Sequence, residues 1–283
     1  MKARLLALGL VLAATVVADV PARSLIFAKI NGDEFKLDLY RPAGAPAGLV
    51  IWVHGGAWRG GSRANVDLLP LVNLGWAVAS VDYRLATVAR FPAQIHDLKA
   101  AIRFLRAHAA EYGYPANRFV IAGSSAGGHL AALVGVTNGH QELEGTEGDH
   151  PGVSSDVQAI VDLYGASDLT TILAQSTPQG LSLRVPALDL LLGARPDQVP
   201  ALARLASPVF QLDAHDPPLF LMHGDQDPQM PMEQSQELAA AYRKLGLPLL
   251  FKVQPGSGHG GPAFTSAESL HLIDSFLRQH LRD

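Results

Sequence analysis

Apolar positions along this chain fall into short blocks whose period changes from one block to the next. Phe35, Leu37 and Leu39 alternate with Lys36, Asp38 and Tyr40, the period-two pattern of a strand with one wet face. This block and an apolar one at 25–30 flank Asn31-Gly32, a pair suited to the positive backbone angles of a tight hairpin. An edge hairpin over 25–30 and 34–40 is therefore predicted. The blocks at 49–53 and 76–81 are almost wholly apolar, as strands covered on both faces must be. Those at 118–122, 157–163, 218–222 and 248–253 read as further strands.

Helical patterns lie between them. A short helix is predicted over 66–74. A long amphipathic one is predicted over 92–112, with Pro92 at its start and Ile95, Leu98, Ile102, Leu105 and Ala109 as its buried stripe. An alanine-rich helix follows at 128–136, and another closes the chain around His271 and His280. Alternation of this kind predicts an α/β domain, a mostly parallel central sheet with helices on both faces. Residues 168–207 break the alternation with leucine-rich pieces interrupted by Pro178, Gly180, Pro186, Gly193, Pro196 and Pro200. This stretch is read as a lid insertion over a pocket, the alternative being a surface helix pair remote from substrate.

The pentapeptide Gly123-Ser124-Ser125-Ala126-Gly127 sits between a predicted strand and a predicted helix. In that context G-x-S-x-G marks a nucleophile elbow, a strained turn that lifts a serine hydroxyl clear of the sheet. A serine hydroxyl needs a base, and the base needs a carboxylate to fix its tautomer. The block at 218–222 runs into His223-Gly224-Asp225-Gln226-Asp227, and that at 248–253 into Gly256-Ser257-Gly258-His259-Gly260-Gly261. Ser125, Asp227 and His259 are the candidate catalytic residues. Asp225 and Asp162 stand as alternative acids. His129, one helical turn past Ser125, is read as a packing residue.

Acyl transfer also needs donors for the developing oxyanion. The loop His54-Gly55-Gly56-Ala57-Trp58 follows the strand at 49–53 directly. The amides of Gly56, Ala57 and Ala126 are the candidate oxyanion hole. His54 is read as a brace for the loop. Trp58 is the candidate substrate-binding residue, either walling the pocket or simply packing.

Taken with Asp82-Tyr83-Arg84-Leu85, Phe91-Pro92-Ala93-Gln94-Ile95-His96-Asp97 and Gly128-His129-Leu130, these segments resemble α/β-hydrolase esterases. The resemblance runs over about residues 25–282. It is to bifunctional feruloyl and acetyl xylan esterases, beside hormone-sensitive-lipase-like carboxylesterases. It implies the α/β-hydrolase fold and cleavage of short acyl, acetyl or feruloyl esters, including those on plant polysaccharide, without a cofactor. The hormone-sensitive-lipase group carries three glycines after the histidine, where this chain has Ala57 and then Trp58. The form found here is also similar to that of kynurenine formamidases, which implies an N-formyl amide as an alternative substrate. A catalytically silent binding protein on the same fold is the reading from a different class.

Composition narrows the partners. The chain has 283 residues, 48% of them hydrophobic, room for one large domain with a sizeable core. Twenty-two basic residues face 26 acidic ones, and no polybasic block suggests nucleic acid or an anionic membrane. There is no cysteine and no pair of histidines four residues apart, so neither disulfides nor a metal centre is expected. Oligomeric state is not legible. Lys2 and Arg4 precede an apolar run at 5–17 and the small-residue end Val16-Val17-Ala18, the pattern of a signal peptide. Residues 1–18 are expected to be removed, leaving 19–283 as an exported catalytic domain without a membrane span. Removing Lys2 and Arg4 takes the formal charge from −4 to −6.

Overall fold

A computed structural model of the chain describes residues 22–281. The expected signal peptide, residues 1–18, lies outside them. The strands are β1 (Arg23–Ile30), β2 (Asp33–Tyr40), β3 (Leu49–Val53), β4 (Ala77–Val81), β5 (Phe119–Ser124), β6 (Ala159–Leu163), β7 (Leu219–Gly224) and β8 (Leu249–Gln254). The helices are α1 (Ala93–Ala107), α2 (Ala109–Tyr112), α3 (Ala126–Gly135), α4 (Gln141–Glu144), α5 (Ile172–Gln175), α6 (Pro178–Leu192), α7 (Pro200–Leu205), α8 (Met232–Leu245) and α9 (Ala267–His280).

The eight strands form one sheet in the order β1-β2-β4-β3-β5-β6-β7-β8. β1 and β2 pair antiparallel through the Asn31-Gly32 turn, where φ is 54° and 93°. β2 meets β4 antiparallel, and every later pairing is parallel. The strand order reverses between β3 and β5. Their C-terminal ends therefore diverge into loops that leave a crevice, where sheets of this class bind ligands.

Each central strand feeds two cores because successive side chains point to opposite faces. Leu49, Ile51, Val53, Phe119 and Ile121 join the cluster under α1, α3 and α8. Val50, Trp52, Val120 and Ala122 join a second cluster with Leu71, Trp76 and the buried face of α9. The Trp76 indole donates to Asp274 Oδ1 at 2.8 Å, pinning α9 to the segment before β4. That sheet with helices on both sides is the α/β-hydrolase fold expected from the sequence.

Local differences have local causes. The short helix expected over 66–74 is a 3-10 turn at Leu69–Leu74 ended by Gly75 at φ 89°. The helix expected over 92–112 breaks at His108, which leaves helical angles at φ −103°, ψ 12°. The Pro- and Gly-interrupted stretch 168–207 holds a fifteen-residue helix, α6, despite Pro186 within it. The Thr177 hydroxyl caps α6 by accepting the Gly180 amide at 3.0 Å, and Pro178 occupies its first turn.

Candidate active site

β5 ends at Ser124, and Ser125 turns at φ 55°, ψ −120° before α3 begins. L-residues avoid that φ, so the turn must be held. The Ser125 amide donates to Leu163 O at 2.9 Å, and its carbonyl accepts from the His129 amide at 3.0 Å. Packing leaves no room beside it. A Cβ on Gly123 would meet the Gly127 carbonyl, and one on Gly127 would meet the Val53 carbonyl. The Ser124 hydroxyl donates to Asp67 Oδ2 at 3.0 Å.

The loop after β8 brings His259 Nε2 to 2.8 Å from Ser125 Oγ. Its Nδ1 lies 2.6 Å from Asp227 Oδ2. A proton on Nδ1, donated to the carboxylate, leaves Nε2 free to accept from the serine hydroxyl. The Asp227 side chain is fully buried, and its Oδ1 accepts the amides of Gln229 at 2.8 Å and Met230 at 2.9 Å. Burial pushes this carboxyl upward. Hydrogen bonds from His223 and His259, the charge of His259 and the Met230 amide outweigh that and hold it well below the usual carboxylate range. The His223 ring is also buried, with Nε2 3.3 Å from Asp227 Oδ2 and Nδ1 2.6 Å from Ser235 Oγ. Tyr164 presents its ring to His259 in a T-shaped contact, 4.8 Å between centroids.

The two other carboxylates weighed from the sequence sit elsewhere. Asp225 is exposed and accepts the Gly256 amide at 2.7 Å. Asp162 is fully buried, with Oδ1 accepting the Gly165 amide at 2.8 Å and Oδ2 unpartnered. Burial pushes its carboxyl up to about 7. Of the three, Asp227 is the one hydrogen-bonded to His259.

β3 runs into a loop with three successive positive φ angles: 113° at Gly56, 53° at Ala57 and 58° at Trp58. The Gly56 carbonyl accepts the amides of Arg59 and Gly60 at 3.1 and 3.0 Å. The amides of Gly56, Ala57 and Ala126 donate to no backbone carbonyl among the described residues, and all three residues line one cavity with Ser125. His54 is buried and stacked on Tyr83 at 4.4 Å. The Tyr83 hydroxyl in turn donates to the His54 carbonyl at 3.0 Å.

Trp58 is 1% exposed and both packs and lines the cavity. Its indole donates to His129 Nδ1 at 3.0 Å, and His129 Nε2 donates to Ala206 O at 2.7 Å. Those partners require neutral His129 with its proton on Nε2. Burial pulls this imidazole down to about 4, against a smaller upward pull from the Ala206 carbonyl. The 54–58 loop, α3 and the end of the 168–207 excursion are thus joined through one histidine.

The cavity has a volume of about 320 Å³. Besides Ser125, His259 and the 55–58 loop, it is lined by Tyr164 and by Leu183, Arg184 and Ala187 of α6. Sequence reasoning missed Tyr164, His223 and the α6 residues. Tyr164 directly follows β6, and His223 is the next-to-last residue of β7, so position at a strand end was the available signal. For α6 the signal was the stripe Gly180, Arg184, Ala187, Leu188 and Leu191, all buried.

A sheet reversal with a serine elbow on one strand end and a histidine–aspartate pair on two later ones defines an α/β-hydrolase. The BD-FAE family profile matches residues 37–242, and the chain belongs to that family. It is 34% identical over 242 residues to Esterase LipC of Mycobacterium tuberculosis, covering 83% of this chain and 59% of the relative. With Esterase LipQ of the same organism the identity is 35%, over 76% of this chain and 51% of the relative. The chain thus spans little more than half the length of these curated relatives. A solved carbohydrate esterase from gut microbiota, in truncated form, superposes with TM-score 0.81 at 29% identity, covering 93% of this chain and 98% of that one. A thermophilic esterase of Thermogutta terrifontis with propionate bound superposes with TM-score 0.74 at 26% identity, covering 93% and 95%. Among the described residues no helix is long and apolar enough to cross a membrane.

Proposed function

We propose that this protein hydrolyses carboxylic esters through an acyl-enzyme on Ser125. One observation carries the reading. Hydrogen bonds run unbroken from Ser125 Oγ through His259 to Asp227, and the serine end opens on a cavity. His259 Nε2 takes the hydroxyl proton as Oγ attacks the ester carbon, while Asp227 steadies the imidazolium that forms. The amides of Gly56, Ala57 and Ala126 receive the oxyanion, each worth about 3–4 kcal/mol in the transition state. His259 returns the proton to the leaving alcohol. Water, deprotonated by the same ring, then attacks the acyl carbon and frees the acid. No cofactor enters these steps.

Trp58 forms part of the substrate wall in this reading, and α5–α7 form a small cap. The substrates are short acyl esters, or acetyl and feruloyl esters on polysaccharide-derived material. The family match and the structural likeness to a carbohydrate esterase support the polysaccharide context. The leader-like residues 1–18 support export to the periplasm or medium, where such polymers lie. The test is kcat/KM across nitrophenyl esters of rising chain length, methyl ferulate, acetylated xylan and N-formylkynurenine. Short esters and the xylan or ferulate substrates should lead, with turnover abolished in Ser125→Ala. Preference for N-formylkynurenine, or undiminished turnover in the variant, would overturn the reading.

A further inference from the structure

Three cationic side chains are buried among the described residues: Lys99, Arg103 and Arg184. Two of them share a carboxylate. Lys99 Nζ is 3.1 Å from Glu144 Oε2, and Arg103 Nη1 is 2.6 Å from Glu144 Oε1. A buried charge is ordinarily paired in this way, because removal from water costs several kcal/mol.

Arg184 is different. It is 7% exposed and forms no ion pair among the described residues. Its Nη2 donates to the Gln229 carbonyl, its Nη1 lies 3.4 Å from Met230 Sδ, and its Nε has no acceptor. The field of Asp227 reaches it, but both oxygens of that carboxylate are engaged, by His259 and by the Gln229 and Met230 amides. Burial pulls the guanidinium down to about 10, so it remains cationic at neutral pH. Arg184 lines the cavity that holds Ser125. Apart from it and His259, the lining residues carry no ionisable group but the Tyr164 phenol.

A guanidinium so placed lacks a counter-charge that substrate can bring. We propose that this site favours esters that also carry a carboxylate, which Arg184 binds while Ser125 attacks the ester carbon. This deepens the esterase reading and rests on it. The carboxylate can sit on the acyl side, as in a dicarboxylic acid monoester, or on the alcohol side, as in the acyl ester of a hydroxy acid. Both present the same planar anion to the fork of the guanidinium.

The experiment compares charged and uncharged esters of matched size at neutral pH by kcat/KM. On the acyl side, monomethyl succinate, glutarate and adipate are set against methyl butanoate, pentanoate and hexanoate. On the alcohol side, acetoxyacetate and 4-acetoxybenzoate are set against propyl acetate and 4-methylphenyl acetate. At least one charged ester should exceed its neutral partner by about 10- to 100-fold, the worth of a charge-assisted hydrogen bond. The series in which it does so locates the anion. Arg184→Gln should bring that ratio to near one, largely through KM, and Arg184→Lys should restore part of it. Ratios at or below one in every wild-type pair would overturn the inference while leaving the esterase intact. So would an Arg184→Gln variant that slows charged and neutral esters equally, since Arg184 would then only clip α6 to the loop after Asp227. Failure to turn over any ester in either series would sink the esterase reading itself, and the inference with it.

Discussion

The cavity is bounded by two regions built on different principles. At the strand ends, backbone constraint fixes nearly every group. Ser125 is held at positive φ by the Leu163 carbonyl and the His129 amide, the 55–58 loop by three successive positive φ angles, and Asp227 by two amides. In the excursion, α6 lines the same cavity with Leu183, Arg184 and Ala187, side chains on a single helix. Geometry at the strand ends leaves little freedom to vary without losing the chemistry. A helix wall can change residue by residue while the chemistry stays. Substitutions in the first region should therefore cost turnover on every substrate, and those in the second should reorder substrates.

The sharpest break is expected at Asp227→Asn. It preserves shape but removes the carboxylate that orients His259, so kcat should fall about 10³- to 10⁴-fold on all esters alike. A loss confined to some substrates would erase the distinction between the two regions. Gly123→Ala comes next. The added methyl must displace the Gly127 carbonyl, and overpacking against backbone should cost about 2–4 kcal/mol, read as a lower denaturant midpoint. Leu183→Ala, in the helix wall, should shift acyl-length preference about 3- to 10-fold with kcat on the best substrate largely kept.

The smallest effect concerns pH. Asp162 holds its proton up to about pH 7 in the folded protein, whereas in the unfolded chain an aspartate releases it near ~4. The folded state thus binds more protons between these values, and stability falls as pH rises through that window. Measured against Asp162→Asn, the wild-type denaturant midpoint should decline from about pH 4 to about pH 7 and level off above it. A flat difference would show Asp162 ionising normally.

The same contrast explains what the sequence made legible. Strand ends announce themselves through glycines that only a tight turn needs. The elbow at 123–127, the 54–58 loop and the 256–261 loop could therefore be placed before any coordinates. The core stripe of α1 was equally plain, since Ile95, Leu98, Ile102 and Leu105 are all buried. The excursion was opaque because Pro186 and Gly180 look like helix breakers, although a Thr177 cap and tertiary packing sustain α6 around them. Arg184 was hidden for a related reason. Its significance lies in lacking an anionic partner among the described residues, and no spacing pattern reports an absence. Tyr83 and Arg84 stood out as motif residues, yet they act by support. Tyr83 holds the His54 carbonyl, and Arg84 clamps buried Asp97 at 2.6 Å.

The central claim is that Ser125 is a nucleophile activated by His259. Intact-mass and peptide analysis after treatment with a fluorophosphonate tests it most directly. The account predicts a single stoichiometric adduct on Ser125 in the wild type, slowed strongly by His259→Ala and absent from Ser125→Ala. An unmodified Ser125 in folded protein, or an adduct formed at the same rate without His259, would contradict it.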